Sequence, residues 1–276
     1  MQKKIWRWGL VVTMMMAMML LAGCQHDPAT NTAAHDAEPV KAATAPLAEE
    51  PVKNGVSVLM YHMIADLANN DAVLAPDHFR AQMQFLKDNG YHPISLQQLD
   101  EYISHGTPLP EKPVCITFDD GYLDNYEIVY PLMKEFGFPW TIFVVTNDVG
   151  KSGRVTWEQL KEMHAAGVTV ANHTFSHPQT TYLPAKTQRE EVTLSQQALA
   201  EHLGIENTYF CYPYGLYNNT LLGILQENGI TLAVTMDPGR VHVGDDPLTV
   251  RRIWIGNRVD LEHFEERLTT DQYRSL

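Results

Sequence analysis

Long apolar runs, phosphate-binding glycine loops, cations and cysteines are all scarce in this 276-residue chain. The longest weakly polar-to-apolar stretch, residues 9–22, is shorter than the roughly 20 residues a helix needs to cross a bilayer. No Gly-x-Gly-x-x-Gly and no Gly-x4-Gly-Lys-Ser/Thr occurs, which lowers the expectation of a nucleotide fold. Lys plus Arg number 20 against 33 Asp plus Glu, for a net charge of −13. Such a chain repels phosphates instead of displacing their counterions, so nucleic acid is excluded as a partner. It is equally unsuited to clamping an anionic membrane through basic residues. A neutral or cationic substrate, or a metal ion, fits the balance better. What is present is the profile of a folded protein: 45% hydrophobic, 9% aromatic and 19% charged.

The first 23 residues carry Lys3, Lys4 and Arg7, no acid, and then the short apolar stretch. This is the pattern of a signal peptide. It ends Leu21-Ala22-Gly23-Cys24, which resembles a bacterial lipobox with Cys24 as the lipidated first residue of the mature chain. An ordinary secretory signal with a chance cysteine is the alternative. Gln25 after the cysteine resembles the outer-membrane sorting pattern of organisms with two membranes. Residues 25–53 hold eight Ala, four Pro and no aromatic residue. They read as a tether with a random-coil reach of about 30 Å. The expected organisation is therefore a signal over 1–23, a lipidated cysteine and tether over 24–53, and one domain over 54–276. The localisation expected is the cell envelope, with a lipid-mediated membrane attachment. Cys115 and Cys211 remain; they can pair in an exported protein, or be buried thiols in the apolar runs that contain them.

From residue 54 the pattern alternates between short β-branched or apolar runs and helical periods. Strands are expected over 56–61, 114–118, 141–145, 168–171, 208–212, 231–235 and 250–255. Helices are expected around Phe79, Met83 and Leu86, over 125–136, from a capping box at Thr156–Gln159, over 187–203, over 219–228 and over 261–268. About seven β/α units in one unbroken domain predict an α/β fold, a distorted (β/α) barrel of about seven strands.

In such a barrel chemistry gathers where strands end. His62 follows the first strand. Asp119, Asp120 and Gly121 follow the second. Asn172 and His173 follow the fourth, with His177 close behind. Pro213, Tyr214 and Gly215 follow the fifth, and Asp237 the sixth. Two His and one carboxylate form a usual donor set for a catalytic divalent ion, Zn²⁺ or else Co²⁺ or Ni²⁺. A second carboxylate beside it suits a general base, and a His on the opposite wall a general acid.

Thr117-Phe-Asp-Asp-Gly121 together with His173-Thr-Phe-Ser-His177 resembles the polysaccharide deacetylases, the NodB-homology proteins of carbohydrate esterase family 4. The resemblance covers residues 54–276 and implies a metal-dependent hydrolase of acetylated glycans. It implies Asp119 as general base and Asp120, His173 and His177 as metal ligands. Pro213-Tyr214-Gly215 matches a third family motif, whose Tyr N–H helps to hold the oxyanion. Two departures stand out. The family often places an Arg two residues before that Pro, and here the position is Cys211. Arg251 or Arg252 on a late strand is the candidate replacement, with a plain ion pair as the alternative. The family's C-terminal Leu-x-His is also missing, but Leu59-Met-Tyr-His62 ends the first strand. That order resembles the circularly permuted subgroup acting on poly-β-1,6-N-acetylglucosamine, and implies His62 as the acid. Pro213, Tyr214, Asp237 and Arg252 are the candidate substrate-binding residues. Trp157 and Trp254 suit sugar stacking or plain core packing. The substrate implied is an N-acetylglucosamine polymer. The rivals are an O-acetyl esterase acting on xylan or another glycan, and a catalytically weak, metal-containing glycan-binding module. The oligomeric state is left open.

Overall fold

The computed structural model describes Leu47, Val52, residues 54–67 and residues 69–270. The signal, Cys24 and most of the tether lie outside these residues. Seven parallel strands form a closed barrel: β1 (Ser57–Tyr61), β2 (Pro113–Phe118), β3 (Thr141–Val144), β4 (Thr169–Asn172), β5 (Tyr209–Cys211), β6 (Leu232–Pro238) and β7 (Val250–Trp254). Each pairs with the next, and β1 closes the ring by pairing with both β2 and β7. The registers are Ser57 with Val114 and Leu59 with Ile253. Seven helices surround or cap it: α1 (Pro76–Asp88), α2 (Leu96–His105), α3 (Tyr130–Phe136), α4 (Trp157–Ala165), α5 (Ala185–Leu203), α6 (Asn219–Glu227) and α7 (Leu261–Thr269).

The strands are apolar on both faces because each face is covered. Leu59, Tyr61, Ile116, Phe118, Ile142, Val144 and Val170 pack outward in a cluster that also holds residues of α1, α3 and α4. The alternate residues, among them Val58, Cys115, Phe143, Ala171, Cys211 and Val234, fill a second cluster with Leu96, Leu99, Tyr102 and Ile103 of α2. Cys115 and Cys211 are both buried and unpaired. Burial pushes the Cys115 thiol up to about 12, so the apolar-run reading of these cysteines holds over a disulfide.

The expected elements match with shifts of a residue or two at their ends, except that β6 runs three residues further, to Pro238. The capping box at Thr156–Gln159 opens α4 with both of its hydrogen bonds made. The helix expected over 125–136 is divided into a π-turn over Asn125–Val129 and α3. Not anticipated are α2, a strand at His92–Ile94 beside β2, and a two-stranded ribbon of Met63–Ile64 and Val73–Leu74. Contacts with the barrel begin upstream of residue 54: Leu47 bridges Pro110, and Val52 packs on the inner cluster. Among the described residues no helix is long and apolar enough to cross a membrane.

Candidate active site

Six of the residues singled out above meet at the C-terminal rim of the strands. Asp119 leaves β2 buried, with only 2% of its surface exposed, and its N–H donates to Tyr61 O at 2.9 Å. Asp120 then takes φ +74° and Gly121 φ +70°. That left-handed pair turns the second carboxylate to the same side as the first. It sits 3.3 Å from Nε2 of His173 and 3.3 Å from Nε2 of His177. His62, at the end of β1, puts Nε2 3.9 Å from Asp119 Oδ2. Its ring lies 4.9 Å from that of Trp254. The Tyr214 ring stands edge-on to His177 at 4.8 Å.

Arg252 answers the question raised by Cys211. Its Nη1 donates to Asp119 Oδ1 at 2.8 Å and its Nη2 to Oδ2 at 2.7 Å, a two-pronged clamp. Nε donates to Thr235 O at 2.7 Å. The Cys211 thiol sits against the same pair, accepting from Arg252 at 3.2 Å and donating to Asp119 at 3.5 Å. Burial alone pushes the Asp119 carboxyl up, but the Arg252 charge and its hydrogen bonds, with help from His62 and His173, bring it below the usual carboxylate range. Arg252 is 1% exposed, so the expectation that it binds substrate gives way to this internal role. Arg251 is exposed and makes no such contact. Asp237 is exposed at the end of β6, accepting from Tyr217 Oη at 3.4 Å. No described hydrogen bond or ion pair joins it to the other site residues.

Two trios of side chains bring metal-type donor atoms together: Asp120, His173 and His177, and Asp119, His173 and Cys211. The second fails, because both oxygens of Asp119 are occupied by Arg252 and burial raises the Cys211 thiol, keeping it protonated. The first fits. His173 Nδ1 lies 2.9 Å from the Cys211 carbonyl. A carbonyl only accepts, so Nδ1 carries a proton. Against its burial, the neighbouring Cys211 and the hydrogen bond to Asp120 raise the His173 pKa, so the ring is charged until an ion takes the place of the Nε2 proton. Donors about 2.0–2.1 Å from a tetrahedral ion lie about 3.3–3.4 Å apart, and the two measured Asp120–His spacings agree. Burial, together with the charge of His173, lowers His177 to about 4, leaving that ring neutral and able to ligate.

Backbone strain concentrates here. Of the six described non-glycine residues with positive φ, four are Asp120, Thr174, His177 and Tyr214. Each costs of order 1–3 kcal/mol and persists only where its surroundings over-determine it. Some of those surroundings escape a reading of the sequence. Arg154 Nη1 donates to Asp120 O at 2.8 Å. Asn125 Nδ2 donates to His62 O at 3.0 Å, and Asp124 Oδ1 accepts from Ile64 N at 2.8 Å, so the residues after the Asp-Asp-Gly turn grip the chain at His62 and just after it. A polar Asp-Asn pair at the start of an expected helix was the available signal, but it reads first as a local cap.

Asp124 yields a pH prediction. Burial raises its carboxyl to about 6, against the hydrogen bonds it accepts. A raised carboxyl favours the protonated fold, so its contribution to stability falls as pH rises from about 4 to 6 and stays reduced above that. Asp124→Asn keeps the acceptor oxygen and carries no charge. It is expected to be more stable than wild type at pH 8 by about 1–2 kcal/mol, with the gain vanishing at pH 4. Urea unfolding of both proteins at the two pH values tests this; an equal difference at each would refute it.

A closed (β/α) barrel with acid–base side chains and a ligand-competent Asp-His-His group on one rim defines a hydrolase type of site. The polysaccharide deacetylase family model matches residues 106–233. A Bacillus subtilis (strain 168) protein named as a polysaccharide deacetylase, YxkH, is 34% identical over 191 residues, covering 69% of this chain and 67% of that one. The poly-beta-1,6-N-acetyl-D-glucosamine N-deacetylase of Escherichia coli (strain K12) is 27% identical, over 83% of this chain but only 41% of its own length. Among solved structures, the Streptococcus pyogenes deacetylase PplD in complex with acetate superposes with a TM-score of 0.75 at 29% identity, over 80% of this chain and 100% of that one. IcaB from Ammonifex degensii gives 0.70 at 30%, over 80% and 98%. The chain belongs to the polysaccharide deacetylase family, carbohydrate esterase family 4.

Proposed function

We propose that the chain is an exported, lipid-anchored N-deacetylase of an N-acetylglucosamine polymer. The observation that carries this reading is the clamped Asp119 and the His62 imidazole, 3.9 Å apart, next to the Asp120-His173-His177 group. Asp119 and His62 are the general base and acid, and the other three residues hold the ion. A divalent ion held by Asp120, His173 and His177, most simply Zn²⁺, would supply Lewis-acid polarisation of the acetyl carbonyl and would acidify water to a pKa of about 7.

The chain's own residues do the rest. Asp119, kept ionised and fixed in direction by Arg252, accepts the proton of the attacking water. The Tyr214 N–H, turned by its left-handed backbone, donates to the developing oxyanion. The carbonyl carbon–nitrogen bond then breaks. His62 gives its proton to the departing nitrogen, and acetate and a free amino sugar leave. Burial lowers the His62 pKa, while the charges of Asp119 and Asp120 oppose the fall, so the imidazole gains its proton from the one Asp119 takes from water, across the 3.9 Å between them, and holds it weakly enough to pass it to the amine.

A polymeric substrate suits the rim. Of nine exposed large apolar side chains among the described residues, Tyr182, Tyr214, Tyr217 and Met236 come from the ends of β4, β5 and β6. Two of these loops touch, with Asn218 Nδ2 donating to Thr181 O at 3.5 Å. Their flat apolar surfaces suit the faces of sugar rings, with Pro213 and Asp237 alongside.

The test is acetate release from N-acetylglucosamine oligomers before and after chelation, with Zn²⁺, Co²⁺ or Ni²⁺ added back. Release that falls at least tenfold on chelation and returns with metal is expected. Release from O-acetylated glycans alone would replace this reading by the esterase, and no release with any ion would replace it by the glycan-binding module.

A further inference from the structure

The loop that carries His177 is held from behind by a residue no motif contains. Thr174 at φ +65° and His177 at φ +59° are both left-handed without being glycine. Within the loop, Asn172 Oδ1 accepts from Thr174 N at 2.7 Å and Thr174 Oγ1 accepts from His177 N at 3.0 Å. These contacts are local and would move with the loop. Glu191 on α5 supplies the fixed frame. Its Oε2 accepts from Ser176 N at 2.8 Å, its Oε1 from Ser176 Oγ at 2.7 Å, and its backbone carbonyl from Phe175 N at 3.0 Å. Glu191 is 8% exposed, and no described ion pair offers it a cation. A carboxylate is costly to bury unless its oxygens are hydrogen-bonded, and here Ser176 alone meets both. Val192, next along the helix, ties Asn172 by accepting its Nδ2 at 3.1 Å.

We infer that Glu191 is the positioning residue of the metal centre: it locks Ser176 so that the adjacent His177 holds its strained backbone and its Nε2 faces Asp120 before any ion arrives. This rests on the metal reading given above. Removing the side chain frees the loop to relax toward ordinary backbone angles, and the third ligand is then no longer set in place.

The experiment titrates Co²⁺ and Zn²⁺ into the metal-free full chain by calorimetry and records the visible spectrum of the Co²⁺ form, whose band intensities report the ligand geometry. Glu191→Ala is expected to weaken both ions about 10–100-fold and to change the Co²⁺ bands. Glu191→Gln rescues to within about threefold, because the amide accepts from Ser176 N and donates to a Ser176 hydroxyl that can turn round. Wild-type affinity and spectrum in a folded Glu191→Ala protein would overturn the inference, even with a lowered melting temperature. If that variant does not fold, Ser176→Ala removes one contact only, and unchanged Co²⁺ affinity and bands there overturn it equally. A wild-type chain that binds neither ion overturns the metal reading itself, and this inference with it.

Discussion

Arg252→Met is expected to destabilise the fold by about 3–5 kcal/mol, because it leaves the Asp119 carboxylate buried without its cation. The pair is almost wholly enclosed, at 1% and 2% exposure, so water cannot replace the lost partner. The pH dependence should reverse sign as well. In the wild type the Asp119 pKa is depressed, so its stabilising contribution is present above the unfolded carboxylate value of about 3.9 and is lost as pH falls through the folded value. Without Arg252 only the smaller pull of His62 and His173 opposes burial, the folded pKa rises, and stability is lost as pH increases instead. Urea unfolding between pH 4 and 8 reads both effects. The double variant Arg252→Met with Asp119→Asn should recover a large part of the loss, since no charge is then buried. Equal losses in the single and double variants would show that Arg252 acts by packing alone. Arg252→Lys should not rescue, because an ammonium cannot meet both carboxylate oxygens and Thr235 O at once.

The second large effect separates the roles proposed for Asp119 and His62. Asp119→Asn is expected to lower acetate release by roughly 10²–10⁴-fold from both an N-acetyl oligomer and an activated aryl acetate, since each needs water deprotonated. His62→Ala should lose a similar factor on the amide and far less on the aryl ester, whose phenolate departs without a proton. Both variants should bind Zn²⁺ within a few-fold of wild type, because Asp120, His173 and His177 are untouched. Asp119→Asn leaves Arg252 facing a neutral partner, so the assays belong well below its melting temperature. A His62→Ala protein equally impaired on both substrates would remove the acid role and leave His62 as a packing residue beside Trp254.

The barrel was legible because each strand is a short apolar run and most of the helices end in a visible stop such as Gly137 or Gly204. The rim residues were legible because they follow strands directly, as His62, Asp119 and His173 do. Helix α2 was not, since its apolar residues serve the inner cluster and not the face pattern of its neighbours. Arg252 was legible only as one of two candidates. Strand periodicity places adjacent residues on opposite faces, but the choice between Arg251 and Arg252 needs the register of β7, which β1 and β6 set. Glu191 was invisible for a different reason: its role depends on α5 crossing behind a loop that precedes it in the chain, and helix spacing says nothing about a neighbouring loop.

The ring closes between β1 and β7, strands paired at Leu59 and Ile253. This closure has a consequence for the order in which the molecule assembles. Asp119 and His62 come together through the β1–β2 pair, whose partners are 57 residues apart, whereas Arg252 arrives on a strand roughly 190 residues downstream of β1. During vectorial synthesis Asp119 therefore waits for its counter-charge until nearly the whole chain is available. Docking of the last strand both seals the ring and neutralises its interior, which makes that step the natural point of cooperativity. A chain interrupted before residue 252 keeps every motif residue yet lacks the clamp and the final staves of the barrel.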